Sequence, residues 1–371
     1  MLIARINDVS LGLKSVNLRS TKLRLMMFDP DTFHRWQAGA LSPAEASALV
    51  DQIAPLVERD PRYRIARELS PRDHFNPPTG APTARGLILD VEATGLDRAN
   101  DQIVELGVLS FEFEPATARI LRVLKVLDEL EDPGCPIPPA AIKVHGISDA
   151  MVKGHRINDE AVRRMAQEAS IIIAHNAEYD RAMVERRFDC FADRHWACSA
   201  REVPWREHGF ASNALGHLAL ASGLFFGAHR AVMDCRAVLE VLSRPFGRPT
   251  VDETARPASE PAQPENESVR PALAWLLESS GRLEHKLWAL QAPFDRKDHL
   301  KGRGYRWHSG DDGQPKAWAL TLVAEANRLQ DELDWLRDQV YKAPIRLRLD
   351  TLDARSRYTE RNSVSESIML S

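Results

Sequence analysis

From residue 84 to 246 the chain alternates short apolar runs with amphipathic stretches. Gly86-Leu87-Ile88-Leu89-Asp90-Val91 stays apolar until an acid appears at its end, which predicts a buried strand. Gln102 to Phe113 and Arg119 to Leu127 predict two more, joined as a hairpin through a Pro-Ala-Thr turn. Ser170-Ile171-Ile172-Ile173-Ala174 predicts a fourth strand, and Trp196 to Ala200 a short fifth. Helical patterns lie near Asp159 to Ala169, Ala177 to Phe191, Ser212 to Ser222 and Arg230 to Leu242. Strands and helices interleaved in this way predict a mixed α/β domain.

The flanks differ in pattern. Residues 29–83 predict a helical appendage, in which Ser42-Pro43-Ala44-Glu45 supplies an N-cap, a first-turn proline and an early acid. Leu41, Ala48, Leu49, Ile53 and Leu56 give it an apolar stripe. Residues 1–28 hold Arg5, Lys14, Arg19, Lys22 and Arg24 against Asp8, the composition of a tail or targeting-like segment, with Met26 and Met27 as alternative starts. Residues 247–271 are rich in Pro, Glu, Ser and Ala and predict a linker. Hydrophobic periodicity returns over 272–344, a small C-terminal module, and 345–371 is expected as a polar, frayed tail.

Length and composition narrow the class. A chain of 371 residues exceeds one typical core, so two folded units with tails are expected. Hydrophobic residues at 44% and charged residues at 27% are those of a soluble globular protein, and no apolar run reaches the roughly 18 residues of a membrane span. Cys135, Cys190, Cys198 and Cys235 form no CxxC pair, which suits reduced thiols in the cytoplasm. A net charge of −4 argues against binding nucleic acid by bulk charge, so any grip on it must be local.

Candidate chemistry begins with Asp90 and Glu92. Two apart on a strand, they project from one face, and two close carboxylates repel unless a cation sits between them. Hard oxygen donors suit magnesium or manganese. Alone, a DxE is a weak signal, since acids also simply end strands. Two further acids stand at similar junctions. Asn176 is an N-cap candidate that places Asp180 in the first turn of a helix, and Asp234 falls early in another. His229, five residues before Asp234, belongs on the preceding loop.

Leu89-Asp90-Val91-Glu92-Ala93-Thr94-Gly95, Ala174-His175-Asn176-Ala177-Glu178-Tyr179-Asp180 and His229-Arg230-Ala231-Val232-Met233-Asp234 resemble, in order, the three motifs of the DEDD exonuclease family, histidine branch. Val144-His145-Gly146-Ile147-Ser148 resembles a segment of epsilon-type proofreading subunits of bacterial DNA polymerase III. The resemblance covers residues 84–246 and implies a ribonuclease H-like mixed sheet flanked by helices. It implies that Asp90, Glu92, Asp180 and Asp234 hold two divalent cations, Mg2+ or Mn2+, and that His229 is the general base toward water. Thr94, His145 and Asn176 are the implied substrate contacts, and Glu105 is taken as structural. Many proofreading members carry threonine where this chain has Ala93, which removes a hydroxyl but no metal ligand.

The implied activity is 3′–5′ hydrolysis of DNA to nucleoside 5′-monophosphates at single-stranded or frayed ends, with a DNA polymerase subunit as candidate partner. Two alternatives stand beside it: an RNA-trimming enzyme similar to ribonuclease T or oligoribonuclease, and a catalytically silent nucleic-acid-binding module.

In the C-terminal module, Phe294 to Trp318 predicts a short helix, a strand, a Gly- and Asp-rich turn and a return strand, an α+β pattern. Similar segments follow the nuclease domain in some epsilon relatives. Basic and aromatic residues interleave here as on a single-strand binding surface. The leading expectation is that Tyr305, Trp307 and Trp318 are core, under a helix carrying Leu322, Leu329, Leu333 and Leu336.

Overall fold

The computed structural model describes residues 30–60, 62–246, 270–310, 314–325, 327–359 and 364–370, which fall into two compact units divided between Ile65 and Ala66. Residues 1–28 and nearly all of the expected linker (247–269) lie outside the described residues. The first unit contains α1 (Pro30–Gln37) and α2 (Pro43–Val57). Ser42 accepts from the Glu45 N–H while the Glu45 carboxylate accepts from the Ser42 N–H at 2.8 Å, so the expected cap is a reciprocal box.

The expected helical appendage ends earlier than 83. After Val57 no described residue up to 83 is helical, and residues 73–76 run extended along Leu121–Val123. Phe75, half-buried, packs into the core of the second unit. An apolar anchor among Pro and Asp residues made this segment part of the sheet's margin.

The second unit holds two five-stranded sheets. The first comprises β1 (Ala84–Ala93), β2 (Ile103–Glu114), β3 (Arg119–Leu130), β4 (Ile171–Ala174) and β5 (Trp196–Cys198), in the order β3-β2-β1-β4-β5. The first three strands are antiparallel, and β4 and β5 run parallel to β1. This is a mixed five-stranded sheet, as the resemblance led one to expect. The helices on it include α3 (Pro139–His145), α4 (Asp159–Glu168), α5 (Ala177–Arg187) and α6 (Ala231–Ser243). Leu87, Leu89 and Val91 face the core shared with α4 and α5, and Ile88 faces the core shared with α6. Burial on both faces explains why β1 reads as a continuous apolar run. Asp90 and Glu92 follow Ile88 in the same alternation, at the end of the strand.

The second sheet is antiparallel throughout: β6 (Glu284–Ala289), β7 (Arg306–His308), β8 (Ala317–Val323), β9 (Ile345–Leu352) and β10 (Val364–Leu370), in the order β7-β8-β6-β9-β10. Preceding it is α7 (Leu273–Ser280), and α8 (Lys297–Arg303) and α9 (Arg328–Gln339) contribute Leu300, Leu333 and Leu336 to the core on one face. The expected polar tail at 345–371 is therefore corrected: two of the five strands come from it. Ile345, Leu347 and Leu349 alternate with Arg346, Arg348 and Asp350, so one face of β9 is buried and the other polar. The expected linker is also trimmed, since Arg270–Pro271 pairs with Pro245–Phe246. Tyr305 is core at 1% exposure and Trp318 packs at the core's edge, whereas Trp307 is 51% exposed and Leu322 lies on β8 rather than on a helix.

Two buried arginines tie the second sheet to the first. Arg181, on α5, donates to the carbonyls of Arg355, Arg357 and Ala192 and pairs with Glu185 at 2.8 Å. Arg357 donates to the carbonyls of Ser279 and Arg282 and pairs with Glu202 at 3.2 Å and Glu284 at 3.1 Å. No helix of the described residues is long and apolar enough to cross a membrane.

Candidate active site

The acids meet where β1 ends, and the reasons are local. Gly107 on β2 lies opposite Asp90, and a Cβ there would come within 2.4 Å of the Ala231 carbonyl carbon. Only glycine lets the first turn of α6 rest on the sheet this closely. Two residues earlier, Glu105 lies opposite Glu92. Its carboxylate accepts from the Ala231 N–H at 2.9 Å and from Arg230 at 2.6 and 3.0 Å. Glu105 and Gly107 thus seat the α6 N-terminus, which brings Asp234 to the acids of β1. The sequence alone marks Glu105 only as structural and does not single out Arg230. An Ile-Val-Glu-Leu-Gly strand with a buried acid two before a glycine is the signal that could have found this seat.

His229 ends the loop before α6 with φ +68, a left-handed conformation that carries strain for any residue but glycine. Its N–H donates to Asp234 Oδ2 at 2.8 Å, which offsets that strain and leaves the imidazole exposed beside the acids. Ligand atoms of Glu92, His229 and Asp234 all lie within 4.8 Å of one another. Asp180 arrives from the first turn of α5, where its Oδ1 accepts the Val91 N–H at 3.3 Å. Tyr179 helps to pin that turn by donating to the Gly95 carbonyl at 2.7 Å. Asp90 and Asp180 stand outside the tight trio but close enough to share its electrostatics.

That electrostatics is one-sided. Burial, followed by the charges of Asp180, Asp234 and Glu92, holds the Asp90 carboxyl well above the usual range. Burial and the charges of Asp234, Glu105 and Asp180 push Glu92 up to about 8, with Arg230 opposing. Asp180 is raised to about 7 by burial, against hydrogen bonds from Val91 and its own turn. Asp234 is raised to about 6, again by burial, with the His229 N–H pulling the other way. Crowded carboxylates driven toward their neutral forms are those a divalent cation would stabilise, and the all-oxygen set with one imidazole fits Mg2+ or Mn2+.

The three expected substrate contacts are placed unevenly. Thr94 is buried, its hydroxyl donating to Asp101 at 2.7 Å and accepting from the Gln102 N–H at 3.0 Å, so it fastens the loop after β1. His145 is buried with Nδ1 accepting from the Ile147 N–H at 3.0 Å, which leaves the proton on Nε2, turned to the Ala93 backbone. Asn176 is exposed at the start of α5 and makes no side-chain cap.

Residues 87–242 match the family model RNase_T, described as Exonuclease. A DNA polymerase III subunit epsilon-like protein of Rhodobacter capsulatus is 34% identical over 104 residues, covering 27% of this chain and 14% of that protein. A PolC-type DNA polymerase III of Listeria welshimeri is 30% identical over 115 residues, covering 30% of this chain and 7% of that protein. This chain thus matches only a small part of the length of either polymerase relative. A solved structure of Exonuclease X with 5′ overhanging duplex DNA is 23% identical, covering 42% of this chain and 90% of that one, with a TM-score of 0.33. Residues 87–242 are therefore similar to the exonuclease family, and within it to the epsilon type.

Proposed function

We propose that the chain is a divalent-metal-dependent 3′–5′ exonuclease that releases nucleoside 5′-monophosphates from single-stranded or frayed DNA ends, in proofreading or repair, within the cytoplasm. The observation that carries this reading is the convergence of Asp90, Glu92, Asp180 and Asp234, from three distant stretches, beside the exposed His229.

In this reading the four carboxylates hold two divalent cations, which would activate water and stabilise charge on the departing 3′ oxygen. His229, on the solvent side of the cluster, takes the water proton on a ring nitrogen as general base. The Asp234 acceptor on its own N–H fixes where the ring stands. His145, buried against the Ala93 backbone, and Asn176, exposed at the start of α5, are the candidate contacts to the terminal nucleotide. Free thiols at all four cysteines accord with a reducing compartment.

The test is a gel assay on labelled DNA and RNA strands blocked at either end. Single-nucleotide shortening of the 5′-blocked DNA strand, its absence on the 3′-blocked strand, and arrest by chelator are expected. Shortening from the 5′ end, or activity indifferent to chelator, would sink the proposal.

A further inference from the structure

The two faces of the C-terminal sheet are unlike. On one, α8 and α9 cover Leu287, Leu347 and Leu349. On the other, cross-strand pairing places Arg306 and His308 of β7, Lys286 of β6, and Arg346 and Arg348 of β9 on a common surface. Between them lie Ala317 and Ala319, buried on β8, and Thr321, Ser365 and Ser367, exposed on β8 and β10, with the exposed Met369 opposite Arg346. Trp288 lies under this face, with Lys286 4.2 Å and Arg348 5.6 Å from its ring, and His308 tilted against it at 4.8 Å between ring centroids.

The acids of the face are already engaged. Asp350 is buried and accepts from Trp288 Nε1, Arg348 and Ser365 at 2.7 Å each, and Glu284 pairs with Arg357. Arg306 and Arg346 of this face are exposed to solvent, in a chain whose net charge is −4. The face also adjoins the nuclease sheet: Glu284, at the start of β6, pairs with Arg357 at 3.1 Å, and Arg357 pairs with Glu202, just after β5, at 3.2 Å.

We propose that this open face binds the phosphate backbone of the single nucleic-acid strand whose end lies in the nuclease site, through Lys286, Arg306, Arg346 and Arg348. The inference rests on the exonuclease reading and adds the track that holds the strand behind its reacting end. An acid-lined centre repels the polymer it cuts, so the grip must come from a separate basic surface. Five strands at ~4.8 Å spacing make that surface roughly 20 Å across, enough for a few nucleotides. Thr321, Ser365 and Ser367 are exposed beside the cations, and Trp288, at 0% exposure, offers no ring for stacking, so binding should follow phosphates rather than bases.

The experiment uses the full chain carrying Lys286→Gln, Arg306→Gln and Arg346→Gln together, all at partly or fully exposed positions. Fluorescence anisotropy with a labelled DNA strand of about twelve nucleotides is recorded across salt concentrations in chelator, beside a melting curve. Three lost phosphate contacts should weaken binding about tenfold at low salt and make the salt slope shallower by about two, with little change in melting. In turnover, the loss should be larger on the long strand than on a dinucleotide. Equal affinity in variant and parent, or equal loss at both lengths, overturns the proposal. Preference of the parent for polyglutamate over the strand would assign the face to an acidic protein and also overturn it. A parent that binds the strand but hydrolyses none defeats the exonuclease reading and leaves this surface standing.

Discussion

The nuclease sheet is covered by helices on both faces, whereas the C-terminal sheet carries helices on one face and turns Lys286, Arg306 and Arg346 outward on the other. In the first, charge is gathered inside, as buried acids at a strand end. In the second it is spread outside, as basic residues on one face. Hydrolysis at a phosphodiester needs negative ligands held tightly enough to fix cations, and holding the rest of the polymer needs positive charge at a distance from them. Separating the two on different sheets lets each meet its own requirement, and the buried Arg181 and Arg357 fix one sheet against the other.

The comparison breaks most decisively at the catalytic centre. His229→Ala should lower turnover by roughly 10²–10⁴-fold, the usual contribution of a general base, with the melting temperature nearly unchanged because the ring is exposed. Steady-state rates at saturating metal measure this; near-parent turnover would remove His229 from the mechanism. The junction comes next. Arg357→Met leaves Glu202 and Glu284 without their shared cation and should cost about 3–5 kcal/mol in a denaturant titration. A loss below 1 kcal/mol would mean that the sheets do not depend on this bridge.

Smaller effects should come from the seat of α6. Glu105→Gln weakens the Arg230 pair and the cap on Ala231, and an expected drop of about 10–100-fold in metal affinity follows from loosening Asp234 and His229. The drop should be partly recovered at high metal concentration; failure to recover would assign Glu105 another part. The weakest expected effect concerns pH. Glu92, Asp180 and Asp234 have folded-state pKa values of about 8, 7 and 6, above the ordinary ~4. The folded state therefore binds protons more tightly than the unfolded state. The resulting stability is complete below about pH 4 and is lost as pH rises through 6 to 8. Melting of chelated protein should fall by a few °C across that window, and Mg2+ should flatten the fall. A melting curve independent of pH would argue that the acids are not crowded.

The two sheets also differed in how far the sequence disclosed them. Alternation placed Asp90 and Glu92 on one face, and helix starts placed Asp180 and Asp234, because strand and helix periodicities are local properties. The left-handed backbone of His229 and the approach of α6 to Gly107 depend on tertiary contact and left only a glycine as a trace. In the tail, Ile345-Arg346-Leu347-Arg348-Leu349-Asp350 alternates as a strand should, but its polar half obscured it. Arg357 looked like any surface arginine. Its burial follows from carbonyls far away in sequence, at Ser279 and Arg282.

Calorimetric titration of the full chain with Mn2+ near pH 6.5, in buffers of different ionisation enthalpy, tests the central claim most directly. If the four acids form one cation site, binding must expel the protons that Glu92 and Asp180 retain at that pH, so release of about one proton or more is expected, and Asp180→Asn should reduce it. Mn2+ that binds without releasing protons, or does not bind, would contradict the account.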